Sequence, residues 1–93
     1  MFNTENVSNM RSMFYGCSSL KELNLNNFNT NNVINMSDMF SECTSLKKLN
    51  LNTFNTNNVT NMESMFKGCS DDLRRKIKSE NKNIKDEAFN DYD

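Results

Sequence analysis

Phe28-Asn29-Thr30-Asn31-Asn32-Val33-Ile34-Asn35-Met36-Ser37-Asp38-Met39-Phe40-Ser41-Glu42-Cys43-Thr44-Ser45-Leu46-Lys47-Lys48-Leu49-Asn50-Leu51 is the stretch that decides the fold, because it occurs almost three times. Stepping back 26 residues gives Phe2-Asn3-Thr4, Val7, Met10, Met13-Phe14, Cys17, Leu20, Leu23 and Leu25 in the same phases. Stepping forward 26 gives Phe54-Asn55-Thr56, Val59, Met62, Met65-Phe66 and Cys69, after which the pattern stops. Self-similarity at such a period marks a solenoid, in which each repeat buries its apolar face only against its neighbours. Residues 1–69 therefore read as about two and a half repeats, and residues 70–93 as a C-terminal helical cap or tail.

Within one unit two periods alternate. Val33, Met36, Met39-Phe40 and Cys43 are spaced 3, 3, 1 and 3, which puts a stripe on a helix or on a tight succession of helical turns. Leu20, Leu23, Leu25 and Leu46, Leu49, Leu51 then shift towards a period of two, the mark of a short strand with its leucines pointing inward. The stretch 29–32 is expected to turn the chain into the next unit.

Where a third strand is due the chain reads Asp71-Asp72-Leu73-Arg74-Arg75-Lys76-Ile77. Leu73 stands one residue beyond the phase of Leu20 and Leu46, since 20 + 52 = 72 is Asp72. Ser70 as a cap and two aspartates in the first turn predict a helix start there. Leu73, Ile77, Ile84 and Ala88 form a narrow stripe that would cover the open end of the last unit. The polar run 79–83 is expected to break that helix, and residues 90–93 to fray.

A chain of 93 residues is one small domain at most. Eleven basic residues stand against 12 acidic ones, for a net charge of −1; 5 of each lie up to Cys69, with 6 and 7 beyond. Neither part clusters Lys and Arg as phosphate-backbone binding requires, which argues against a nucleic-acid partner. Asparagine supplies 19 residues, while proline, tryptophan and histidine are absent. A nucleotide-composition bias would produce that excess, and so would the need for turn-closing amides at the corners of a solenoid. No apolar run is long enough to span a membrane, and Met1–Asn6 has neither the basic flank nor the apolar core of a signal peptide.

Cys17, Cys43 and Cys69 share one phase. Without histidine or a Cys-x-x-Cys pair they make no tetrahedral metal site, and a disulfide would leave one thiol over. They read as buried free thiols packing as small hydrophobes. A thiolate nucleophile needs a base beside it, so the chain reads as non-catalytic, with no cofactor. Met10, Met36, Met62 and Met13, Met39, Met65 occupy two phases and read as core filler. The sequons at Asn6, Asn35 and Asn58 follow from the repeat itself.

The candidate binding surface is the outer face of the strands: Glu22, Asn24 and Asn26 on the first, Lys48, Asn50 and Asn52 on the second. Stacked about 4.8 Å apart, Glu22 would pair with Lys48, and Asn24–Asn50 and Asn26–Asn52 would form amide ladders. Two strands make a patch well under the roughly 800 Å² per partner of a standard interface. Met1 begins without a preceding strand, so the first stripe is expected to be uncovered on its N-terminal side. An apolar end of that kind invites self-association.

The string Leu-x-x-Leu-x-Leu-x-x-Phe, from Leu20 to Phe28 and from Leu46 to Phe54, matches the strand half of a leucine-rich repeat. The other half, Phe-Asn-Thr-x-Asn-Val-x-x-Met-x-x-Met-Phe-x-x-Cys-x-Ser-Leu, resembles the repeat of bacterial surface protein A (BspA)-like proteins. That resemblance covers about residues 2–69. It implies an α/β leucine-rich-repeat solenoid, right-handed, with a short parallel β-sheet, helical turns on the opposite side and a C-terminal helical cap. It also implies a module of a cell-surface or extracellular protein, in some members a lipoprotein or an adhesin for host matrix or other surface proteins, and supplies no catalytic residues. The alternatives are an intracellular, cytoplasmic scaffold and a truncated repeat fragment without independent function.

Overall fold

The stripe of each unit satisfies its backbone in two alternating ways, and that alternation generates the architecture. In the computed structural model, which describes residues 6–90, the N–H groups of Met10, Ser12, Phe14 and Gly16 donate to the carbonyls of Asn35, Ser37, Met39 and Ser41 in the next unit, at 2.8–3.0 Å. The intervening N–H groups of Met13, Tyr15 and Cys17 close tight turns onto the carbonyls three residues back. The second unit repeats both sets one period on: Met36, Asp38, Phe40 and Glu42 donate forward to Asn61, Glu63, Met65 and Lys67, while Met39, Ser41 and Cys43 close turns.

Two of the three turns in each unit hold a left-handed residue at their third position. Ser12, Asp38 and Ser64 hold φ of 56–57° in one phase; Gly16, Glu42 and Gly68 hold φ of 75°, 61° and 79° in the other. A side chain in this region costs on the order of 1 kcal/mol, and two of the six positions avoid that cost with glycine. The stripe is consequently no helix: the described part of residues 1–69 contains none, and the 3-3-1-3 spacing arises from consecutive turns. Spacing could not separate the two, because a turn every three to four residues places side chains on one side as a helix does.

Two parallel columns tie the units together. β1 (Glu22–Leu23) pairs with β2 (Lys48–Leu49) in the register Glu22↔Lys48 and Leu23↔Leu49. Asn9, Asn35 and Asn61 form parallel single-residue bridges on the turn side. Between the columns lies the core, where Leu25, Val33, Met36, Met39, Phe40, Cys43, Leu46, Leu51, Met62, Met65 and Phe66 are all buried. The rings of Phe14, Phe40 and Phe66 stack face to face, with centroids 5.7 and 5.4 Å apart and planes within 12° of parallel.

Among the described residues seven asparagine side chains turn the corners. The Oδ1 atoms of Asn9, Asn24, Asn29, Asn35, Asn50, Asn55 and Asn61 each accept the N–H two residues on, at 2.8–2.9 Å. The local amide thus supplies the acceptor a corner would otherwise lack. Buried Thr30 joins two units, donating its hydroxyl to the Asn55 carbonyl and accepting the Asn55 N–H.

After Cys69 the chain forms α1 (Asp71–Glu80). The Ser70 hydroxyl accepts from the Leu73 N–H at 3.2 Å, Asp71 and Asp72 occupy the first turn, and Leu73 and Ile77 are buried one turn apart. Asn81 ends the helix, its N–H and Nδ2 both donating to the Ile77 carbonyl. Ile84 and Ala88 are buried as expected, but Ala88 lies in a 3₁₀ turn, Asp86–Phe89, and not on a continued helix. That turn takes the place of a fourth unit: the Ser64 and Phe66 N–H groups donate to the Glu87 and Ala88 carbonyls, and Phe89 stacks on Phe66 at 5.4 Å. Phe2-Asn3-Thr4 and residues 91–93, with the fraying expected there, lie outside the described residues.

Phe40 is fully buried between two rings, whereas Phe14 is half-buried at the end of the stack. Phe40→Ala is expected to cost about 3–5 kcal/mol and Phe14→Ala about 1–2 kcal/mol, measured by urea denaturation. Equal losses would mean that the ladder does not carry the core.

Candidate functional site

Strand alternation decides what the sheet offers to solvent. Leu25, Leu49 and Leu51 point inward and are buried, while Leu23 is half-buried and Glu22, Asn24, Lys48 and Asn50 project outward. The result is a shallow groove of about 660 Å³ whose lining includes half-buried Leu23 and the edge of buried Leu49. Its walls bring together five of the six candidate residues, Glu22, Asn24, Asn26, Lys48 and Asn50. Asn52 stands outside it, its N–H held by the Asn50 side chain.

Glu22 and Lys48 face each other in register with 4.0 Å between Oε2 and Nζ, both well exposed. Such a pair contributes little to stability, about 0–1 kcal/mol, and leaves both charges available to a ligand. The expected amide ladders take a different form. The Oδ1 atoms of Asn24 and Asn50 are turned back onto Asn26 and Asn52 N–H, because closing a corner two residues away competes with reaching the next strand. Side-chain amide contacts between units occur at another phase, where Asn55 Nδ2 donates to Asn31 Oδ1 and Asn58 Nδ2 donates to the Asn31 carbonyl.

One lining residue escaped the sequence: Lys76, from α1. The loss of the third strand was visible, but not which face of the replacing helix would turn towards the groove. On the turn side a second hollow, of about 400 Å³, is lined only by polar residues, among them Arg11, Asp38 and Glu63. Its Asn35 and Asn61 oxygens already serve backbone turns, so it presents fewer unengaged groups than the strand face.

Two of the three thiols are hydrogen-bonded. Cys43 Sγ donates to the Phe14 carbonyl at 3.1 Å and Cys69 Sγ to the Phe40 carbonyl at 3.2 Å, each reaching into the preceding unit. Burial raises the Cys43 thiol above its ordinary pKa and pushes Cys69 up to about 12. Cys17 is half-buried. Five of the six phased methionines are core as read, but Met13 is 39% exposed at the N-terminal end. Among the described residues no group of three or more His, Cys, Asp or Glu is placed to hold a metal ion, and no helix is long and apolar enough to cross a membrane.

A family described as "Mycoplasma protein of unknown function, DUF285" matches residues 1–91. The chain belongs to that family. The match takes in the units and α1 alike, so in this DUF285 chain the family pattern runs through the C-terminal segment as well as the repeats. No curated protein and no solved structure matches the DUF285 chain.

The raised thiols give this DUF285 chain a predicted pH dependence. Cys69 keeps its proton in the folded state to a higher pH than in the unfolded chain, so the unfolded state releases that proton first. The resulting stability is full below the unfolded thiol pKa and is lost as pH rises towards 12. Thermal midpoints from pH 8 to 10.5 should fall more steeply for the parent than for Cys69→Ala, and parallel curves would contradict the burial of that thiol.

Proposed function

We propose that the chain is a non-catalytic protein-interaction or adhesion module of a bacterial cell-surface protein, built as a short BspA-like leucine-rich-repeat solenoid. The 26-residue period, the parallel columns and the unit-to-unit hydrogen bonds support the solenoid reading. Membership of DUF285 agrees with a surface module. The absence of histidine from the sequence, together with thiols held protonated by burial, supports a role without catalysis.

The observation that carries the proposal is the strand-face groove. It combines a part-exposed leucine, two lysines, a glutamate and three amides on a surface the fold leaves uncovered. An open lining of both charges, amides and some apolar surface suits a segment of another protein, such as a host-matrix chain or a second surface protein, better than a small charged metabolite. The area is small, so binding through this groove alone is weak.

Lys48 and Lys76 are exposed and their replacement leaves the core untouched. Against a panel of immobilised extracellular-matrix proteins, Lys48→Glu with Lys76→Glu is expected to weaken binding by about tenfold, the scale of one lost charge-assisted contact, at an unchanged thermal midpoint. Binding that ignores both substitutions would place the surface elsewhere, and a panel with no binder would remove the matrix-adhesion reading.

A further inference from the structure

Stacking in this chain has a direction. Along residues 10–16 and 36–42 the bonds between units run one way, from N–H groups in one unit to carbonyls in the next, whereas just ahead of them the Ile34 and Thr60 N–H groups donate back to the Ser8 and Ile34 carbonyls. Over that turn stretch each unit therefore carries donors facing the C-terminal end and acceptors facing the N-terminal end. The donor edge of the third unit is met by the Glu87 and Ala88 carbonyls. At the other end, the carbonyls of Asn9, Arg11, Met13 and Tyr15 accept no hydrogen bond from any described residue.

Side chains on that edge are incomplete in the same sense. Cys43 and Cys69 each donate to a phenylalanine carbonyl of the preceding unit, and Cys17 finds no such carbonyl among the described residues. Met13 is 39% exposed where Met39 and Met65 are 0% exposed. Phe14 and Leu20 are half-buried where Phe40 and Leu46 are fully buried.

We propose that this edge is a docking surface for one further 26-residue unit of the same pattern, supplied on the N-terminal side. Its alternate N–H groups would donate to the four carbonyls, its phenylalanine carbonyl would accept the Cys17 thiol, and its ring would extend the stack beyond Phe14. The turn-side carbonyls select this occupant, because inside the chain their equivalents are met only by the alternate N–H groups of a matching unit. Two copies meeting edge to edge would offer these four turn-side carbonyls no alternating N–H row in register, and a copy meeting head to tail would have to displace its own Glu87–Ala88 segment. The inference does not depend on what the strand face binds.

The test copies residues 28–53 directly ahead of Phe2, in place of Met1, in the full chain. Two controls carry a Gly/Ser segment of the same length or the copied unit with proline at its Met36 and Phe40 phases. The readout is the rate of Cys17 alkylation by iodoacetamide, mapped by mass spectrometry, with sedimentation of each protein. Cys17 should react about tenfold more slowly behind the matching unit, as a thiol buried from the reagent does, and at the parent rate in both controls. An unchanged rate, equal slowing in the controls, or a fusion that unfolds would overturn the proposal. A parent chain that dimerises and protects Cys17 as concentration rises would assign the edge to a second copy instead.

Discussion

A backbone N–H that meets a carbonyl 25 residues further on, four times in each of two successive units, is the constraint on which the rest of this structure depends. It holds only if the chain returns to the same position every 26 residues. Once it does, each side chain meets its own equivalent one layer away, and the phenylalanines stack at 5.4–5.7 Å because the layers that carry them do. Such pairs contribute roughly 0.5–1.5 kcal/mol each beyond their burial. For a chain this short, whose core is marginal by size alone, that regularity replaces the diversity of contacts a larger domain would use.

The polar residues belong to the same device. Backbone that turns every few residues cannot satisfy itself with helix or long strand, and buried unpaired groups cost about 1–3 kcal/mol each. Asparagine oxygens close seven corners among the described residues, Thr30 bridges two units, and Ser41 donates to the Ser64 carbonyl inside the stack. Among the described residues no buried side-chain nitrogen or oxygen lacks a partner. The thiols extend this logic, since each buried cysteine donates to a carbonyl of the preceding unit that already closes a turn there. The C-terminal segment finishes it by presenting carbonyls, ring and helix where a further unit would stand.

Much of this was legible in the residues. The phases of Phe40, Cys43, Leu49 and Leu51 announced the core, and the Ser70–Asp72 start and the Leu73/Ile77 pair announced α1. The form of the stripe was not, because hydrophobic spacing reports which side a residue faces and not which hydrogen bonds its backbone makes. A clue lay in the phase shared by Gly16, Glu42 and Gly68: two glycines at one position point to a left-handed turn residue, which a helix interior would not need. Five of the six strand-face residues line the groove because period-two alternation is nearly independent of context. Asn52, Lys76 and Phe89 escaped because their placement depends on where a corner closes and how the final segment folds back, which single-sequence spacing does not carry.

The central claim is that the 26-residue return of the backbone, and not apolar composition, makes the fold. It is tested most directly by lengthening the chain between Thr53 and Phe54. One protein receives a second copy of residues 28–53, and another receives the same copy short of one residue, with Asn52 omitted. Thermal unfolding followed by circular dichroism should show a higher midpoint for the complete copy and a loss of cooperative unfolding for the shortened one. Equal midpoints for the two insertions would contradict the account.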